Sequence, residues 1–179
     1  YQTYFDGAQF VHFLLGPATV ALAIPLYTQL KRVKAMLVPV VVGLLAGSLT
    51  AAFSAIAIAK LFGASLPTQL SLAPKSVTTP IAMGIAERIG GIPSLTAVLV
   101  IATGILGAVG GRYVFNAMRI HDPAIRGFAI GVASHGIGTA RAFQVSEQSG
   151  AFAALAMGLN GALTALLLPF LLSATRGLG

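Results

Sequence analysis

Residues 134–141, Ser134-His135-Gly136-Ile137-Gly138-Thr139-Ala140-Arg141, form a polar, glycine-broken island in an otherwise apolar sequence. Backbone can leave the helix at membrane depth only where protein or a water-filled cavity surrounds it, because lipid offers no partner to a freed N–H or C=O. The island therefore predicts an interrupted helix that lines a pathway.

A counterpart lies sixty residues earlier, an offset that pairs Thr79 with Thr139, Ala82 with Ala142, Glu87 with Glu147, Gly90 with Gly150 and Leu95 with Leu155. In the first copy, Lys75-Ser76-Val77-Thr78-Thr79-Pro80 reads as a loop closed by Thr79 as N-cap, with proline at the first helical position, where its missing N–H costs nothing. In the second, Gly136 and Gly138 permit the turn and Thr139 is the equivalent cap. Each half-helix is expected to run about ten residues to a C-capping glycine, Gly90 or Gly150. Paired interrupted segments are the sequence pointer to a transporter site whose half-helix N-termini face an anionic group.

The expected substrate-binding residues are Ser76, Thr78, Thr79, Ser134, His135, Gly136, Gly138, Thr139, Arg141 and Asn160. Arg141 is the expected counter-charge. In the first turn after Thr139, the helix dipole and the apolar surroundings both penalise a cation, and a bound carboxylate relieves both. Snorkelling to an interface, or pairing with Glu147 or Glu87, is the alternative. Asn160 is equally readable as an amide bonding across helices. Glu87 and Glu147 are expected at helix ends where the dipole disfavours acids, which makes them candidates for proton coupling. A solvated helix end is the plainer account of Glu87 beside Arg88.

Composition sets the class. The chain is 56% hydrophobic and 8% charged, whereas soluble domains carry about a quarter charged residues. The expected fold is all-α, a polytopic helical membrane protein forming one domain over residues 1–179, with two discontinuous segments and an internal repeat. The net charge of +7 does not indicate nucleic acid, because Lys and Arg gather at the ends of apolar runs, as the positive-inside bias requires. Cysteine is absent, which excludes disulfides and thiolate sites. The three histidines are too scattered for a zinc motif. Ser134 and His135 are immediate neighbours, poor geometry for a nucleophile and its base. Neither an enzyme nor a cofactor is expected. The opening Tyr1-Gln2-Thr3, without Met, suggests that the natural chain starts earlier.

Spans are expected at 8–30, 35–59, 92–115 and 151–172, with broken segments at 61–91 and 127–150. Pro17 and Pro25 should kink the first, which carries His12 near its start. Gly43 with Gly47, and Gly107 with Gly111, have the small-xxx-small spacing of close helix contacts. Placing the basic clusters at 31–34, 112–126 and 176 on one cytoplasmic side requires 61–91 to return to the face it leaves and 127–150 to cross. The repeat predicts similar paths for both, so the two expectations conflict.

The stretches KSVTTPIA (75–82), GGIP (90–93), GILGAVGG (104–111), NAMRI (116–120) and ASHGIGTAR (133–141), with GPATVALAIPLY (16–27), resemble the LrgB/CidB family of bacterial inner-membrane proteins over essentially the whole chain. That resemblance implies either of two activities. One is an antiholin-like role with a small LrgA/CidA-type membrane partner, affecting murein hydrolase activity and lysis. The other is small-carboxylate transport, as in the related plastid glycolate and glycerate translocators and in bacterial pyruvate movement. It also implies further spans ahead of residue 1. The expected partners are thus a small carboxylate, the lipid bilayer and an LrgA/CidA-type protein. A homodimer is expected because twofold assemblies predominate among oligomers.

Overall fold

The computed structural model describes Phe13 and residues 23–176, with side chains at Phe13 and over 24–172. Most of the expected first span, including His12 and Pro17, lies outside the described residues. The described elements are α1 (Ala23–Thr28), α2 (Leu30–Ala35), α3 (Leu37–Leu61), α4 (Leu66–Leu72), α5 (Thr79–Ile89), α6 (Pro93–Ala117), α7 (Pro123–Val145) and α8 (Glu147–Arg176). Among them, α3, α6 and the Glu147–Leu172 part of α8 are long and apolar enough to cross a membrane.

Of the remaining elements, α4, α5 and α7 build two hairpins. The first enters through α4, turns over 73–78 and leaves through α5. Its return is fixed by Ser71, whose hydroxyl accepts from the Ile92 N–H at 2.8 Å and whose carbonyl accepts from the Thr96 hydroxyl at 3.1 Å. The second hairpin is α7 itself. At His135 the backbone takes φ 41°, ψ −133°, so an entering arm (123–134) and a returning arm (136–145) meet at a sharp reversal. A methyl group on Gly138 would lie 2.7 Å from Ile130 Cγ2 and 3.2 Å from its carbonyl oxygen, which only doubling back can bring about.

Contact order gives the directions. The entering arm runs parallel to α8, with the backbones of Ser149 and Ala153 pressed against Gly127 and Gly131. It also runs parallel to α3, where Gly43 meets Phe128 and Gly47 meets Val132. It runs antiparallel to α6, where Gly111, Gly107 and Gly104 face Ile130, Ser134 and His135. On the other side, α5 runs parallel to α8, since Gly161 approaches Ile81 while Ala165 shares a cavity wall with Arg88. The first hairpin thus enters from the end where α3 stops, and the second from the end where α3 starts. Both return to the end they leave. This removes the conflict in the sequence: 127–150 does not cross, and the C-terminal end of α8 at Arg176 lies opposite the clusters at 31–34 and 112–126.

The α3–hairpin and α6–hairpin units therefore repeat in inverted orientation. Both long helices have 25 residues. The offset is 56 from Leu37 to Pro93 and 57 from Thr79 to Gly136, about one helical turn short of the sequence pairing. The entry of α7 is held by Asp122, which accepts from the Ala124 and Ile125 N–H groups and pairs with Arg32. Although partial burial works the other way, these two N–H groups and the guanidinium hold its carboxyl below the ordinary carboxylate range.

The α6 glycines are what admit the second hairpin, since a methyl on Gly107 would overlap the Ser134 hydroxyl. Gly107→Ala should lower stability by roughly 1–3 kcal/mol through overpacking, and adding Ser134→Gly should restore part of the loss. Thermal unfolding midpoints of the detergent-purified variants check this; equal midpoints for Gly107→Ala and wild type would refute the close approach.

Candidate functional site

The two hairpin turns meet at Asn160, midway along the apolar Glu147–Leu172 stretch. Its Nδ2 donates to the Ser76 carbonyl in the first turn at 3.2 Å and to the Val132 carbonyl, near the end of the second hairpin's entering arm, at 3.0 Å. In an unbroken helix the Val132 carbonyl would accept from the Gly136 N–H. The backbone leaves helical geometry at His135, just before that donor, and the Asn160 amide supplies one to this carbonyl. Asn160 Oδ1 accepts from the Thr164 hydroxyl at 3.4 Å. The residue is 1% exposed, so bulk water does not supply these bonds. It bonds across helices, and it does so at the place where a substrate amide contact was expected.

Two half-helix N-termini are aimed at this crossing from opposite sides, those of α5 and of the returning arm. Each carries roughly half a positive charge on free N–H groups. At α5, Thr78 rather than Thr79 is the N-cap; it is extended (φ −62°, ψ 148°) and makes no side-chain cap bond. An N-cap side chain bonds the N–H of the second or third helical residue, and Pro80 lacks one. Thr139 is not a cap either. The returning arm starts at Gly136, and the Thr139 hydroxyl donates to the His135 carbonyl at 2.7 Å, filling another acceptor at the turn.

His135 and Ser134 face α6. The imidazole Nε2 donates to the Val100 carbonyl at 2.9 Å, and Gly104 leaves the room, since a methyl there would lie 2.8 Å from Cε1. A non-glycine residue at positive φ carries backbone strain of order 1–3 kcal/mol, which this bond and the surrounding packing hold in place. Ser134 is buried, and its hydroxyl is the one buried side-chain polar atom without a hydrogen-bond partner among the described residues.

Several expectations need correction. Arg141 is not at the crossing. The arm begins at Gly136, so Arg141 lies past its first turn, exposed, with Nη1 donating to Gln144 Oε1 at 3.0 Å. Nor does it pair with Glu87 or Glu147; the one ion pair among the described residues is Arg32–Asp122. Gly150 is not a C-cap. The arm ends at Val145 with Ser146 extended, and Gly150 sits in the first turn of α8 against the Phe143 ring. Glu147 therefore opens α8, where the dipole favours an acid. Gly90 is the expected left-handed cap (φ 84°), and Glu87 lies one turn before it. Both glutamates are exposed at the ends of the bundle, away from Asn160.

One residue escaped the sequence analysis. Lys75 adjoins Ser76 in the first turn, half-buried, with Nζ 3.4 Å from the Ser76 hydroxyl and no carboxylate partner among the described residues. The signal was its place inside the interrupted segment, because an ionisable group at membrane depth is expensive unless it has work to do.

Asn160→Ala should leave two carbonyls unpaired, at roughly 1–3 kcal/mol each. Asn160→Asp should cost at least as much, since a carboxylate cannot donate. Denaturant or thermal unfolding in detergent reads this, and wild-type stability in both variants would exclude the amide as the link between the hairpins.

Residues 1–174 match the LrgB-like family. The chain is 42% identical over 173 residues to the uncharacterized protein YwbG of Bacillus subtilis, covering 97% of this chain and 77% of that one. It is 38% identical to YxaC of the same organism, over 89% of this chain and 69% of that protein. To the antiholin-like protein LrgB of Bacillus cereus it is 31% identical, over 94% and 74% of the two chains. No solved structure matches. With its apolar spanning helices and a family match over nearly its whole length, this chain is a membrane protein belonging to the LrgB-like family.

Proposed function

We propose that the protein carries small 2-oxo or 2-hydroxy monocarboxylates, of the pyruvate, glycolate and glycerate class, across the bacterial inner membrane. The observation that carries this is the joining of two inverted, interrupted hairpins by Asn160 at mid-span. In transporters, irregular backbone of this kind lines the substrate site, and half-helix N-termini bind the anionic group.

The sign of the charge at the crossing supports an anion. Two helix N-termini and Lys75 contribute positive potential there, while the described acids, Glu87, Asp122 and Glu147, all lie at the ends of the bundle. A carboxylate entering between the hairpins meets N–H groups whose partners are missing for reasons of helix geometry, and the Lys75 ammonium replaces the counter-charge first assigned to Arg141. Hydroxyls at Ser76, Thr78, Thr79 and Ser134 suit a 2-oxo or 2-hydroxyl oxygen. Moving the hairpins past each other would break and remake the Asn160 bonds, so that amide is the natural pivot of alternating access. This account assigns no catalytic residue and needs no cofactor.

The antiholin-like name of the Bacillus cereus relative favours a second reading: a regulator of murein hydrolase activity and lysis that acts with an LrgA/CidA-type partner, as the resemblance to the LrgB/CidB family implies.

Radiolabelled uptake into proteoliposomes separates the two. The carrier reading expects saturable pyruvate, glycolate or glycerate flux from the purified protein alone, reduced at least tenfold by Lys75→Gln with the unfolding midpoint retained. Leakage of neutral solutes, or flux that appears only with a partner protein, would move the assignment to the second reading.

A further inference from the structure

We propose that a second anion site, separate from the hairpin crossing, lies at the end of the bundle where α7 begins and its returning arm ends, and that it takes a carboxylate or phosphate group. A cavity of about 280 Å³ there is lined by Arg112 of α6, Arg126 of the entering arm and Arg141 of the returning arm, with Asn116 and Ser149. This is near the lower end of ligand-pocket volumes and suits a small anion or a single headgroup.

Three guanidiniums from three segments converge on this space, and no carboxylate lines it. Asp122, one turn before Arg126, is engaged by Arg32. Glu147, two residues before Ser149, forms no ion pair with any of the three. The convergence costs like-charge repulsion that an anion offsets.

Arg126 is also oriented in advance. Its Nε donates to the Ile120 carbonyl and its Nη2 to Asn116 Oδ1, both at 2.6 Å, and its guanidinium lies 5.7 Å from the Phe115 ring centroid. Five N–H donors in a fixed fork leave further donors after those two bonds, the arrangement that recognises carboxylate or phosphate in bidentate fashion. Arg112 rests on the Tyr113 ring, 4.9 Å from its centroid, and Arg141 spends one nitrogen on Gln144. Ordinary positive-inside placement needs cations on loops facing water. It does not need a half-buried arginine tethered by two short bonds beside a cavity. Nothing in this argument depends on transport at the crossing.

Phenylglyoxal modification of the purified protein in nanodiscs, read residue by residue by mass spectrometry, tests the site and its ligand source. In phosphatidylcholine nanodiscs, inorganic phosphate or pyruvate should slow modification of Arg112 and Arg141 at least fivefold and leave exposed Arg119 unaffected. Arg126→Gln should abolish the protection. If protection instead appears in phosphatidylglycerol nanodiscs without added anion, the same site takes a lipid headgroup. Protection of none of these arginines by phosphate, pyruvate or phosphatidylglycerol, or equal protection of Arg119, would overturn the proposal. Because the readout is chemical protection at named arginines, its failure leaves carboxylate flux through the crossing untouched, and a failure of flux leaves this site standing.

Discussion

A helix that stops halfway through an apolar layer leaves carbonyls and N–H groups that lipid cannot satisfy, and two such stops here share one side chain. The Asn160 amide supplies a donor to Val132, three residues before the His135 reversal, and to Ser76 in the turn before α5. Without it two buried carbonyls would lose a donor at roughly 1–3 kcal/mol each, against a net domain stability of about 5–15 kcal/mol. The remaining polar groups at the turns are handled locally: Thr139 fills the His135 carbonyl and Val100 accepts from the imidazole. Only the Ser134 hydroxyl is left over among the described residues.

Everything around the crossing serves to let backbones come that close. Gly127 and Gly131 seat the entering arm on α8, and Gly104, Gly107 and Gly111 seat the reversal on α6. Small residues replace the hydrophobic driving force that is missing between helices in lipid, because close approach maximises dispersion contacts. The hairpins are thereby held as rigid inserts from opposite ends, with their electropositive tips inward.

How much of this was legible can be argued residue by residue. The polar islands at 75–80 and 134–141 were readable because irregular backbone in an apolar chain has few permitted settings. So was Gly90, as a left-handed helix end. The register was not. Matching identical residues at an offset of sixty set Thr79 against Thr139, whereas the fold sets Thr79 against Gly136. The reversal occurs at His135, a residue whose backbone gives no warning of positive φ. That shift of one turn misplaced the cap at Thr139, the helix end at Gly150 and the dipole at Glu147, and it carried Arg141 from the crossing to the basic cavity. Lys75 was passed over because a lysine in a loop normally signals water, and only the path of the chain reveals that this loop is buried at mid-span.

The central claim is that the two hairpins enter from opposite ends of the bundle and meet inside it. The absence of native cysteine in this sequence permits a direct test by single cysteines at exposed Ser65, Ser94, His121 and Gln144. Labelling with a membrane-impermeant maleimide in oriented vesicles should place Ser65→Cys and Ser94→Cys on one face, and His121→Cys and Gln144→Cys together on the other. Labelling of Ser65→Cys and Ser94→Cys from opposite faces, or of His121→Cys and Gln144→Cys from opposite faces, would mean that the segment between them crosses the membrane, and would contradict the account.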